Sequence, residues 1–364
     1  MEKNPMEQSS TRVLLNAEPF GFGPTTAVAS FFPYLRGRFS HIAYMGEGHT
    51  LDLQRSLAYD AIFDSSEMDE VALSQIFKEY EVFVTAMDFQ MAEFAKRQGL
   101  RVVIYDALAW YWKKAPRIVM ESDLYIAQNF FGVEEQVKGI PNANVVGAIV
   151  PDEVSVQGRK YVLINLGGLQ NPMWSLGDAI AYAKLFSEVL MQIVPEGKVK
   201  IATSRAIAEA LPGPVVTSYS REKMFELLGQ TACAFMTPGL GNIYDSAVYN
   251  IPTVWLPPAN DSQGRQVELL KINDMTDESV DWFDLAEVRL DYMESQHLIL
   301  KQITDIVRAI GVSSAMQDVM KHVFSEAFSA IRDKETSKTN VLLQTFGTGG
   351  AEEVATLIYD HVTR

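Results

Sequence analysis

The sequence predicts an α/β protein built from two doubly wound parallel-sheet domains, and three observations carry that prediction. Short β-rich runs alternate with helix-length segments, the signature of parallel α/β architecture. The alternation restarts near the middle of the chain, where a second buried run ends in paired glycines. With 364 residues, the chain is long enough for two domains of ordinary size.

Taken in order, residues 1–10 ("MEKNPMEQSS") are polar and read as a flexible tail. A first Rossmann-like domain is expected over 11–150. Its strand candidates are "RVLLNA" (12–17), "HIAYM" (41–45), "AIFD" (61–64), "EVFVTA" (81–86), "RVVIYDA" (101–107), "LYIAQ" (124–128) and "NVVGAIV" (144–150). Helical spacing falls over 26–36, 67–80 and 88–98. Residues 151–159 are polar and aperiodic and read as a linker. A second Rossmann-like domain is expected over 160–350. It opens with the strand "KYVLINLGG" (160–168) and the amphipathic helix 175–194, followed by strands "KVKIAT" (198–203), "PVVTS" (214–218), "ACAFMT" (232–237) and "PTVWLP" (252–257). From about 265 the sequence is mostly helical, and the last segment, 351–364, is expected to pack back onto the first domain. Two such domains are expected to face one another across a cleft at the carboxyl ends of their strands, where open α/β sheets bind ligands.

Composition narrows the function classes. Apolar residues make up 48% and charged residues 21%, the balance of a globular protein. The formal charge of −15 argues against a nucleic-acid polymer as partner, yet a small nucleotide is held by local dipoles and is not excluded. The first ten residues lack the apolar core of a targeting peptide. No run approaches the roughly 18 apolar residues of a membrane span, so no membrane insertion is expected. The single cysteine, Cys233, lies in an apolar run and has no internal partner, which fits a reducing cytoplasm.

The stretch most suggestive of chemistry is "TPGLGNIYDSAVYNIPTVWLPPANDSQ" (237–263). A helix starting near Gly241 or Asn242 would aim unpaired N–H groups and its dipole at a ligand, with Asn242 as N-cap. Glycines at 239 and 241 admit an anion to the backbone. Asp245 would face the same ligand and accept from a ribose diol. For "PGLGN" alone a plain capped turn is the better account. Elsewhere, "NLGGLQNP" brings Gly167 and Gly168 to a strand exit, and "TSRA" brings Ser204 and Arg205 to the next. In the first half "NAEPFGFGPTTAV" sets Gly21, Phe22 and Gly23 ahead of a helix, with Glu18 as the loop's titratable group. "YDALAWYWKKAP" ends a buried strand at Asp106 and follows it with Trp110 and Trp112, which would stack on a planar acceptor or pack the domain. "GEGHT" holds Glu47 and His49 and reads as a loop. No metal motif is present, so no obligatory metal is expected.

The run from Thr237 through Asp245 to Pro252 and on to Asp261 and Gln263 resembles the nucleotide-sugar motif of GT-B glycosyltransferases of the UDP-sugar type. Thr237 stands where many members carry His, Asp245 where Glu is usual, Asn250 where Gly is usual, and "DSQ" replaces "DQ". The first loop also lacks the His that often serves as base. "GFGPTT" with "YDALAWYW" is in addition similar to cytosylglucuronate synthases, which glycosylate cytosine. The resemblance implies a metal-independent transferase moving a sugar from a UDP-type donor to a small acceptor such as a nucleobase, nucleoside or natural-product scaffold. It implies a hexosyltransferase with no cofactor beyond the nucleotide sugar. Donor contacts would come from Gly167, Gly168, Ser204, Arg205, Thr237, Gly239, Leu240, Gly241, Asn242, Asp245, Asp261 and Gln263. Gly21, Phe22, Gly23, Trp110 and Trp112 would hold the acceptor, and Glu18 or Asp106 would take its proton. A nucleotide-sugar epimerase or hydrolase and a non-catalytic binding protein on the same fold remain alternatives, and a homodimer is compatible with the sequence.

Overall fold

The computed structural model describes residues 8–211, 213 and 216–364. The chain divides into two compact units, Met1–Asp152 with Phe346–Arg364, and Glu153–Thr345. Each is a single parallel sheet with helices around it.

The first unit runs β1 (Ser9–Ala17), α1 (Gly23–Arg36), β2 (Phe39–Gly46), α2 (Thr50–Gln54), β3 (Ala61–Asp64), α3 (Glu70–Phe77) and β4 (Val82–Ala86). It continues through α4 (Phe89–Arg97), β5 (Arg101–Asp106), α5 (Arg117–Glu121), β6 (Leu124–Gln128), α6 (Val133–Val137) and β7 (Ala143–Val146). The seven strands lie in the order β3-β2-β1-β4-β5-β6-β7. The central strands are near-continuous apolar runs because both faces are covered. Val13, Leu15, Val84 and Val103 are fully buried with Phe31 of α1. β1 starts at Ser9, so the polar opening contributes two residues to the sheet, and Met1–Glu7 of the expected tail lie outside the described residues. β7 ends at Val146, four residues before the apolar run does. Beyond it Ala148 N donates to Gly347 O and Gly350 N to Ala148 O, so the returning chain replaces a sheet partner.

The second unit runs β8 (Tyr161–Asn165), α7 (Leu176–Leu190), β9 (Val199–Ala202), α8 (Arg205–Ala210), β10 (Val216–Thr217), α9 (Arg221–Gly229), β11 (Thr231–Met236) and α10 (Leu240–Val248). Then come β12 (Thr253–Trp255), α11 (Asp261–Ile272), β13 (Glu278–Ser279), α12 (Trp282–Ala286), α13 (Gln296–Val312), α14 (Ser314–Ile331) and α15 (Val341–Phe346). The strand order, β10-β9-β8-β11-β12-β13, repeats that of the first unit's leading six strands. Of the expected strand 214–218, residues 214 and 215 lie outside the described residues. The edge strand β13 carries no apolar run and has no signature in the sequence. Residues 153–159 belong to the second unit, and Gln157 N donates to Gly229 O at 2.8 Å. Tyr182 and Phe186 of α7 stack at 4.3 Å and meet Trp282 edge-on, forming the aromatic centre of this core.

The final helix, α16 (Gly350–Thr363), buries Val354, Ala355 and Ile358 in the first unit's core. Among the described residues no helix is long and apolar enough to cross a membrane.

Candidate functional site

In a doubly wound sheet the crevice for a ligand opens at the carboxyl ends of the strands where the strand order reverses. That point lies between β1 and β4 in the first unit and between β8 and β11 in the second. Each carries an Asn on its first strand. Asn16 pairs in register with Thr85, and Asn165 with Met236.

In the second unit Asn165 ties two loops together. Its Nδ2 donates to Asn242 Oδ1 at 2.9 Å, and its Oδ1 accepts from Gly167 N at 3.1 Å. Asn242 in turn donates to Thr237 O at 2.8 Å, and the Thr237 hydroxyl donates to Gly167 O at 2.5 Å. The glycine turn after β8 and the start of α10 are thereby fixed to one another. Two expectations change. Asn242 is not the N-cap: α10 begins at Leu240, Gly239 takes the cap position without a side-chain bond, and Asn242 spends its amide on the loop bracket. Thr237 is fully buried, so its hydroxyl serves that bracket and does not face a phosphate.

The uncapped start of α10 leaves Gly239 and Gly241 beside open space, where a Cβ would meet no atom within 4 Å. Gly239 N is spent on Thr237 O, and the N–H groups of Leu240, Gly241 and Asn242 that follow it at this helix end form an anion site. Asp245 lies half-buried in the second turn of α10. Burial pushes its carboxyl up to about 7, against the opposing pull of the Arg221 guanidinium at the start of α9. Gly168 holds φ +72°, a left-handed conformation suited to glycine, and a side chain there would press on Gln263 at 3.2 Å. Gln263, itself buried, accepts from Ala259 N at 2.8 Å, while Asn260 caps α11 through Gln263 N. Asp261 is buried at the first position of α11. Ser204, at the N-cap position of α8, is 4% exposed and its hydroxyl has no partner among the described residues. The same holds for Asn171 Nδ2 and Gln266 Oε1. Buried polar groups without partners are uncommon, and these three belong to segments that follow β8, β9 and β12. Arg205 is exposed at the start of α8.

In the first unit, Glu18 leaves β1 with its backbone N–H bonded to Ala86 O at 2.9 Å. It is half-buried, and burial together with the negative charges of Asp88 and Glu47 pushes its carboxyl up to about 7. These three acids leave adjacent strands, β1, β4 and β2. Asp88 caps α4 through Met91 N, and burial raises its carboxyl as well. Gly21, at φ +60°, turns its carbonyl to His49 Nε2 at 2.6 Å, and Phe22 meets the His49 ring edge-on at 5.1 Å. Gly23 is exposed at the first position of α1.

Asp106 is corrected as a base candidate. It is fully buried and accepts from Leu108 N (2.7 Å), Trp112 Nε1 (2.9 Å) and the Tyr125 hydroxyl (2.7 Å), so no substrate proton can reach it. Burial holds its carboxyl above the usual range, with the three donors opposing. The aromatic pair is corrected too. Trp110 is buried against Phe130 at 5.6 Å, and Trp112 spends its indole N–H on Asp106 and meets Phe89 edge-on. Both pack the domain. No sequence pattern marks Asn165, Asp88 or Arg221 as functional, and Glu47 and His49 read there as loop residues. Among the described residues no group of three or more His, Cys, Asp or Glu side chains is arranged to hold a metal ion. A shallow hollow between residues 8–11 and the last turns of α16 opens at the opposite end of β1, away from all of these groups.

No family profile matches this sequence, and no curated protein is similar to it. Solved structures do align with it over nearly the whole length. MurG of Acinetobacter baumannii superposes with a TM-score of 0.51 at 11% identity, covering 96% of this chain and 99% of that one. CalG4, the calicheamicin glycosyltransferase, gives 0.49 at 13% identity over 98% and 99%. A UDP-glucosyltransferase of Polygonum tinctorium capable of glucosylating indoxyl gives 0.46 at 13% identity over 97% and 100%. Two Rossmann-like units of this order and the MurG superposition identify the fold: the chain is built on the GT-B architecture.

Proposed function

We propose that this protein is a metal-independent glycosyltransferase that moves a sugar from a UDP-type nucleotide to a small acceptor. The observation that carries the reading is the uncapped, glycine-lined start of α10, with Asp245 half-buried in its second turn, at the switch point of the second unit. The likeness of 237–263 to the UDP-sugar motif and the GT-B architecture support it.

In this reading the donor's diphosphate receives the N–H groups at the start of α10, and Asp245 accepts from the ribose diol. Ser204, Asn171 and Gln266 supply polar atoms that have no partner among the described residues. A nucleophilic oxygen or nitrogen of the acceptor forms a bond to the anomeric carbon as the bond from that carbon to the phosphate oxygen breaks. The electron pair leaves with UDP, whose charge the helix end stabilises. The acceptor's proton passes to Glu18, whose carboxyl near 7 is matched to a base working at neutral pH.

A thermal-shift panel of UDP, GDP, dTDP and their sugars tests the reading. UDP and its sugars are expected to raise the melting temperature most. Absence of a shift with every nucleotide sinks it, and donor consumption without any acceptor favours a hydrolase or epimerase.

A further inference from the structure

The loop that carries Glu18 is held from outside by an imidazole. The segment "GEGHT" leaves β2 and turns at Gly48 (φ +52°) into α2. Thr50 locks the turn, accepting from Glu47 N at 3.0 Å and donating to Glu47 O at 2.7 Å. α2 is bolted to the start of α1 by buried groups: Thr25 Oγ1 donates to Thr50 O at 2.9 Å, and Gln54 Nε2 to Thr25 O at 2.7 Å. On that frame His49 reaches the Gly21 carbonyl. A carbonyl only accepts, so the proton resides on Nε2. Burial lowers the affinity of the ring for a second proton, although Asp52 and Glu47 oppose that effect.

The Glu18 loop therefore has two anchors. Its beginning is tied to β4 through Glu18 N and Ala86 O, and its turn to α2 through Gly21 and His49. We propose that His49 is a positioning residue, whose Nε2–H bond to the Gly21 carbonyl holds the 18–23 loop in the conformation in which Glu18 accepts the acceptor's proton. This rests on the reading of Glu18 as base.

The variants His49→Phe and His49→Gln separate the bond from the ring. Phe keeps the edge contact with Phe22 and loses the donor; Gln returns an amide N–H at the reach of Nε2. Carboxyl-labelled glutamate places the Glu18 resonance, identified by its loss in Glu18→Gln, and its titration needs no substrate. The charged groups facing Glu18 are Asp88 and Glu47. In the wild type the expected midpoint is about 7. In His49→Phe the loosened loop exposes Glu18 to water and the midpoint falls by about one unit or more. His49→Gln keeps it in place. With a donor and acceptor pair that turns over, His49→Phe lowers kcat by about 10- to 100-fold with unchanged KM for the nucleotide sugar, and His49→Gln restores most of it. An unmoved midpoint and unchanged kcat in His49→Phe overturn the proposal, as does a His49→Gln variant that behaves like His49→Phe. Wild-type turnover in Glu18→Gln instead overturns the base assignment, and a midpoint shift in His49→Phe then still upholds the tether.

Discussion

Asn165 and Asn242 are joined by a 2.9 Å hydrogen bond that spans the exits of β8 and β11. Both amides are otherwise committed to loop backbone, Asn165 to Gly167 and Asn242 to Thr237. The turn geometry of the candidate anion site is thus set by side chains behind it. Asn242→Leu strands these groups, and leaving buried polar atoms unpaired costs about 1–3 kcal/mol each. Urea unfolding should show that loss, together with weaker UDP binding. Asn242→Leu with unchanged UDP affinity would separate the bracket from the site.

Gly241 offers a test in which two readouts move in opposite directions. It lies within α10 with no atom near a would-be Cβ, so Gly241→Ala should stabilise the helix by about 0.5–1 kcal/mol. The added methyl obstructs approach of a phosphate to the backbone. Thermal unfolding should rise while UDP affinity falls.

Asp106 should behave as a structural acid. Asp106→Ala abandons Trp112, Tyr125 and the Leu108 amide, and a loss of about 3 kcal/mol or more is expected in chemical denaturation. Asp106→Asn, if folded, should retain turnover per folded molecule. A selective loss of kcat in a fully stable Asp106→Asn protein would reopen its candidacy as base.

The raised carboxyl of Glu18 fixes the sign of a pH effect on stability. Between about 4.5 and about 7 the folded protein binds a proton there that the unfolded chain has released. This contribution is complete below the lower value and is lost as pH rises through the upper one. The melting temperature of Glu18→Gln should therefore gain on that of the wild type from pH 5 to pH 8. In activity, kcat/KM of the wild type should fall below about pH 7 as the base becomes protonated.

The architecture was legible because each buried strand is an apolar run ended by turn residues, as in "RVLLNAEPFG" and "KYVLINLGG". The helix at α10 was legible for the same reason, from its glycines and its spacing to Asp245. Other features required the fold. Thr237 and Asp106 end strands, and sequence does not say whether such a side chain turns to the ligand or into the core. Both turn inward. Glu18, Glu47 and Asp88 are spread over about 70 residues and meet only because β2, β1 and β4 are neighbours. His49 read as loop because its partner is a backbone carbonyl 28 residues away.

Calorimetric titration of UDP across pH probes whether the second unit binds a uridine nucleotide through α10 and Asp245, as we propose. A ribose diol bonded to Asp245 favours the ionised carboxylate, against the burial that pushes this carboxyl up to about 7. Binding should release a proton near neutrality, and affinity should decline by up to about tenfold per pH unit below 7. Asp245→Asn should bind more weakly and lose the part of the pH dependence that exceeds the titration of UDP itself. Absence of UDP binding, or an Asp245→Asn variant that binds with the wild-type affinity and pH dependence, would contradict the account.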